Sequence, residues 1–132
     1  MRSRGKSFSY YMMPSAVWSV IMFVLMLVPG SGYPSVSFSG ADLLIHVVLF
    51  TVWAFLTAQG FYKQAYWPIL RFHRGFIVLI MGVLWGAALE AVQGFLLWER
   101  SASMEDYLSD IAGLFLGILL FERLIRMSRQ RL

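Results

Sequence analysis

Residues 75–98 read GFIVLIMGVLWGAALEAVQGFLLW, a long apolar run whose one ionisable side chain is Glu90. As a helix rising 1.5 Å per residue the run is about 36 Å long, enough to cross the roughly 30 Å hydrocarbon core of a bilayer. A carboxylate at that depth costs roughly 2.5–3.5 kcal/mol on insertion scales, so Glu90 marks a function or a structural pairing. Working outward, three more segments are long and apolar enough to span: residues 12–28, 42–61 and 106–125. Pro14 is tolerated in an opening turn, and Pro29 and Gly30 end the first span. The linkers hold turn formers, with Ser31, Gly32, Pro34, Ser35 and Gly40 in one and Pro68 in the next.

Composition agrees with this reading. Of 132 residues, 59% are hydrophobic and 14% charged, and the mean hydropathy is +0.68. Soluble domains run near 45–50% apolar and about 25% charged. The expected fold class is therefore all-α: one domain over residues 1–132, an integral membrane bundle of four transmembrane helices. No cysteine is present, which excludes disulfides and thiolate metal sites. No internal repeat or low-complexity segment stands out.

The basic residues set the expected orientation. Arg2, Arg4 and Lys6 precede the first span, Lys63, Arg71 and Arg74 lie between the second and third, and Arg123, Arg126, Arg129 and Arg131 close the chain. All but one of the eleven thus fall on one side, and the positive-inside rule places both termini in the cytoplasm. The pI of 9.8 is then a topology signal. Its partner is an anionic inner leaflet rather than nucleic acid. Tyr10, Tyr11, Tyr66, Trp67 and Trp98 fall near interfaces, as aromatic belts do. The basic start and apolar first segment also resemble a signal peptide. That apolar run exceeds the usual 7–15 residues and no small-x-small cleavage site follows, so the segment is expected to be retained.

With this topology the polar groups share one depth, in the outer half of the membrane. Asp42 and His46 open the second span, Glu90 and Gln93 lie late in the third, and Asp106 and Asp110 open the fourth. Arg100 is the only basic residue of the outer linker. Asp42 and His46 share a face at i, i+4. So do Asp106, Asp110, Gly113 and Gly117, and so do Gly82, Gly86, Glu90 and Gln93. Small residues let helices approach closely. The third and fourth spans are therefore expected to pack through Gly82, Gly86, Gly113 and Gly117, bringing Glu90 to Asp110. Glu90, Asp110 and His46 are the candidate catalytic groups, and Arg100, Asp42, Gln93 and Asp106 the candidate binding groups. Each has a plainer alternative. Asp42 fits an N-cap, and Ser103 with Asp106 a capping box. His46 and Gln93 fit interhelical hydrogen bonds, and Arg100 an ordinary loop cation. His73 fits a solvated interface residue and Glu122 a surface pair with Arg123 and Arg126.

The order Asp42-x3-His46, Glu90-x2-Gln93, Arg100, Asp106 and Gly113-x3-Gly117 resembles the VanZ-like family, over about residues 29–117. These are small bacterial membrane proteins, named for a member linked to teicoplanin-type glycopeptide resistance. The chain departs from the family pattern at Leu43, where Lys is usual, and at Asp110, where Asn is usual. It also lacks the Pro-Gly often found before the Arg. The resemblance implies a bacterial cytoplasmic membrane protein of the cell envelope. The residues themselves leave four roles open. One is a site for an amphipathic envelope component, such as a lipid-linked cell-wall precursor or a lipoglycopeptide: Arg100 would meet phosphate or carboxylate, and His46, Glu90 and Asp110 would supply acid–base capacity. Another is a non-catalytic four-helix scaffold, held by polar contacts among membrane lipids, that binds a partner. A divalent-metal site on His46 and the carboxylates is a third, opposed by the single intramembrane histidine and the lack of paired-histidine spacing, so no cofactor is expected. A proton relay is the fourth, opposed by inner span halves free of ionisable groups.

Overall fold

The computed structural model describes residues 5–27, 40–96 and 104–132. They form α1 (Phe8–Leu27), α2 (Ala41–Lys63), α3 (Pro68–Phe72), α4 (Arg74–Leu96) and α5 (Met104–Gln130), with no strand among the described residues. The expected spans correspond to α1, α2, α4 and α5. Three of these, α1, α2 and α4, are long and apolar enough to cross a membrane. The 27-residue α5 is the longest, but Asp110 and Glu122 bracket its uncharged stretch at 111–121, which measures about 17 Å as a helix. α1 begins earlier than expected, so Pro14 lies inside it rather than in its opening turn.

α2 is the centre of the bundle, packed against α1, α4 and, most extensively, α5. Helix directions follow from residue contacts. At Gly60, a Cβ would meet the Tyr11 carbonyl, and Trp18 Nε1 donates to the Leu49 carbonyl at 3.0 Å, so α1 and α2 are antiparallel. α2 and α5 run parallel: Gly113 sits on Val47 and Gly117 on Thr51, and Phe121 meets Phe55 edge-on at 5.5 Å between ring centres. α4 is antiparallel to both, with Gly82 under Leu114 and Gly86 beside Asp110.

The glycine contacts differ from expectation. Gly82 and Gly86 of α4 do face α5, making room for Leu114 and for the Asp110 carboxylate. Gly113 and Gly117 instead lie on the α2 backbone, against the carbonyls of Val47 and Thr51. The reason is steric: α5 carries its bulky Leu114 toward α4 and its two small residues toward α2, where the helices approach backbone to backbone.

A polar seam joins α1 to α2. Ser15 and Thr57 share a hydrogen bond of 2.5 Å, and Trp53 Nε1 donates to Ser19 Oγ at 2.8 Å. The turn after α2 is clamped by buried Gln64, whose Oε1 accepts from the amides of Tyr66 and Trp67 while its Nε2 donates to the carbonyls of Phe61 and Trp67. Pro68 at the first helical position then starts α3 inside the expected linker, because its fixed φ suits a helix N-terminus.

These directions sort the charges. Every described lysine and arginine lies at the end formed by the start of α1, the end of α2, α3, the start of α4 and the end of α5. Asp42, Glu90, Glu105, Asp106 and Asp110 lie toward the other end. Glu122 is the exception. It pairs not with Arg123 or Arg126 but with Arg74 of α4, through contacts of 2.7 and 2.8 Å. The Arg74 guanidinium also lies over the rings of Tyr62 and Phe121, a cation–π arrangement that holds its planar fork toward the carboxylate.

Candidate functional site

The parallel packing of α2 and α5 sets the register of the polar groups. Gly113 seats α5 on Val47 and Phe50. Asp110, one turn before Gly113, therefore comes within side-chain reach of His46, the residue before Val47. Their side chains meet: His46 Nδ1 and Asp110 Oδ1 are 2.8 Å apart, and both residues are buried. Glu90 arrives from α4 and is buried as well. One ligand-capable atom each from His46, Glu90 and Asp110 lies within 4.8 Å of the others. His46 is five residues from the start of α2, Glu90 six from the end of α4 and Asp110 six from the start of α5. At 1.5 Å per residue each is about 8–9 Å along its helix, so three helices deliver ionisable groups to one level.

Around the cluster the walls are apolar and small. Phe50 is fully buried, and its ring would lie 3.5 Å from a Cβ placed at Gly86. The same Cβ would come within 3.3 Å of Asp110 Oδ2, so Gly86 leaves the space this oxygen occupies. Asp110 Oδ2 is buried and has no hydrogen-bond partner among the described residues. Burying such an atom without a partner costs about 1–3 kcal/mol, more if it is charged. Charge counting gives the same message: imidazolium with two carboxylates carries net −1, so neutrality requires a further proton or a cation. The arrangement can hold and exchange protons, accept hydrogen bonds from a ligand, or coordinate a cation.

The other sequence candidates fall elsewhere. Gln93 is buried, and its Nε2 donates to the Met26 carbonyl at 2.8 Å, tying α4 to the end of α1. Asp106 is half-buried one turn before Asp110 and flanks the cluster. Asp42 is exposed in the first turn of α2, where its charge suits the helix dipole. It does not cap that helix. The N-cap is Gly40, at a left-handed φ of 97° that favours glycine, with no side-chain capping bond. Arg100, Ser103 and Trp98 lie outside the described residues. Sequence reading missed Phe50 and the seam of Ser15, Ser19, Trp53 and Thr57. The i, i+4 spacings Ser15/Ser19 and Trp53/Thr57 were its available signal.

Fold and cluster together define a helical protein with three helices long and apolar enough to cross a membrane and a buried imidazole–carboxylate cluster. No protein-family model, curated protein or solved structure matches the chain.

Proposed function

We propose that this chain is a four-span, VanZ-like protein of the bacterial cytoplasmic membrane, with both termini in the cytoplasm. In this reading His46, Glu90 and Asp110 form a site for the polar head of an amphipathic envelope component, a lipid-linked cell-wall precursor or a lipoglycopeptide, entering from the outer leaflet. The observation that carries it is the convergence of three buried ionisable groups from three helices within 4.8 Å. The segregation of basic residues to the opposite end favours the orientation. α5 serves as the fourth span because its outward face is apolar, with Leu108, Phe115, Leu116, Leu119, Leu120 and Leu124 exposed. The two acids that bracket its uncharged stretch are each paired, Asp110 with His46 and Glu122 with Arg74. Arg100, in the outer linker, supplies the cation for a ligand phosphate or carboxylate.

Titration of the purified protein in nanodiscs with a lipid-linked cell-wall precursor, and separately with teicoplanin, tests this. Wild type is expected to bind at least one of them. Glu90→Gln and His46→Gln are expected to weaken that binding at least tenfold, about 1.4 kcal/mol, while remaining folded. No binding by wild type sinks the envelope reading. Folded variants that bind as wild type leave the cluster as interhelical glue.

Charge counting favours a second reading, a divalent cation in the same cluster. A neutral imidazole, two carboxylates and one divalent ion sum to zero, and nitrogen with carboxylate oxygen is a competent donor set for zinc and similar ions. The expectation is about one equivalent of metal per chain, by elemental analysis of protein purified without chelator, and its loss in Asp110→Ala. Wild-type protein without stoichiometric metal after loading with zinc would overturn it.

A further inference from the structure

At the basic end, far from the cluster, the start of α1 and the end of α2 enclose a groove of about 760 Å³. Its mouth carries Lys6 and Lys63, both exposed. Tyr10 and Tyr11 flank them, and Met13 and Val17 form an outward wall, each more than half exposed. No acidic residue lines the groove. Lys6 Nζ donates to the Tyr10 hydroxyl at 2.7 Å and lies 4.2 Å from the centre of the same ring, which holds its ammonium at the mouth. Behind them, Gly60 lets the α1 backbone close on α2 at Tyr11. His46 and Lys63 are seventeen residues apart on α2, about 25 Å along the axis, so this groove is separate from the buried cluster.

The order of chemistry along the groove is that of a phospholipid. Cations come at the mouth, aromatic hydroxyls at interface level, and an apolar wall follows toward the membrane interior. The volume falls within the 300–1,000 Å³ typical of ligand sites and suits a headgroup with the first part of an acyl chain. We propose that the groove binds an anionic glycerophospholipid of the leaflet at the basic end. Its phosphate sits between the ammonium groups of Lys6 and Lys63, and one chain runs along Met13 and Val17. Basic pockets between membrane helices bind anionic headgroups in this way. The inference rests on α1 and α2 crossing a membrane. It does not depend on what the His46 cluster binds.

The test is thermal melting of the full chain in a neutral detergent, titrated with phosphatidylglycerol or with phosphatidylcholine. Phosphatidylglycerol is expected to raise the melting temperature by several degrees and phosphatidylcholine by little. The double variant Lys6→Gln/Lys63→Gln is expected to melt like wild type without lipid and to lose the gain. Arg126→Gln/Arg131→Gln, which removes two exposed charges at the same end, is expected to keep it. Retention of the gain in the lysine variant overturns the proposal. So does equal loss in the arginine variant, which would mean diffuse surface charge, and so does an equal gain with phosphatidylcholine. Recovery of the protein in the soluble fraction without detergent would instead overturn the membrane reading beneath it.

Discussion

Gly117→Ala is expected to destabilise the protein by about 2–3 kcal/mol, near the upper end of ordinary overpacking. A Cβ at Gly117 would overlap the Thr51 carbonyl oxygen and come within 2.8 Å of Ala54 Cβ and 3.1 Å of Phe55 N. At Gly113 it would come within 2.5 Å of the Val47 carbonyl oxygen and 2.9 Å of Phe50 Cβ. These neighbours are largely helix backbone, which cannot rotate away as a side chain can. α5 must therefore move off α2 as a unit. Alanine recovers up to about 1 kcal/mol of helix propensity over glycine, too little to offset that displacement. Gly94 makes the control, since nothing lies within 4 Å of its Cβ position. Gly94→Ala is expected to be neutral or slightly stabilising. Gly82→Ala should fall between, because the obstructing group is the flexible end of Leu114. Thermal melts of the variants in detergent rank them, and a Gly117→Ala melt that matches Gly94→Ala would refute the backbone contact.

The same contact shows what a single sequence can and cannot reveal. Hydropathy located the four long helices to within a few residues, because length and apolarity are local properties of the chain. It also put His46, Glu90 and Asp110 at one level, since depth follows from distance to a helix end. Which helix Gly113 and Gly117 face is not local. It depends on α2 lying at the centre, and on the contest between Leu114 and the glycines for two different neighbours. Phe50 was invisible for that reason: in an apolar run, nothing distinguishes a phenylalanine under the site from one facing lipid. Gln64 was missed because its four hydrogen bonds are to backbone groups of the turn, and these leave no pattern in side-chain type. Asp42 was over-read. The residue before a helix is often its cap, but the N-cap of α2 is Gly40, two residues before Asp42.

A double-mutant cycle on His46 and Asp110 is expected to give a coupling energy of about 1.5–3 kcal/mol, the range for hydrogen bonds to charged groups. The alternative has its own magnitude. Neutral polar contacts between membrane helices average about 0.6 kcal/mol, because polar groups in the unfolded membrane state also find partners. Such contacts reach a maximum of about 1.7 kcal/mol, so a coupling above about 2 kcal/mol separates a charged pair from simple glue. The larger value follows from the geometry: the pair is short at 2.8 Å, both residues are buried, and Glu90 adds a second carboxylate beside the imidazole. Single variants will exceed the coupling itself, since removing one partner strands the other, at about 3–5 kcal/mol for a buried ion pair. For that reason His46→Ala and Asp110→Ala should each look severe, while the double variant should be less severe than their sum. Asp110→Asn is the informative third arm. It retains an oxygen that can accept from Nδ1 while removing the charge, so it should keep the fold and lower the coupling toward the neutral value. A cycle near 0.6 kcal/mol, with Asp110→Asn indistinguishable from wild type, would assign the pair to helix packing and leave Glu90 as the only charged centre of the site.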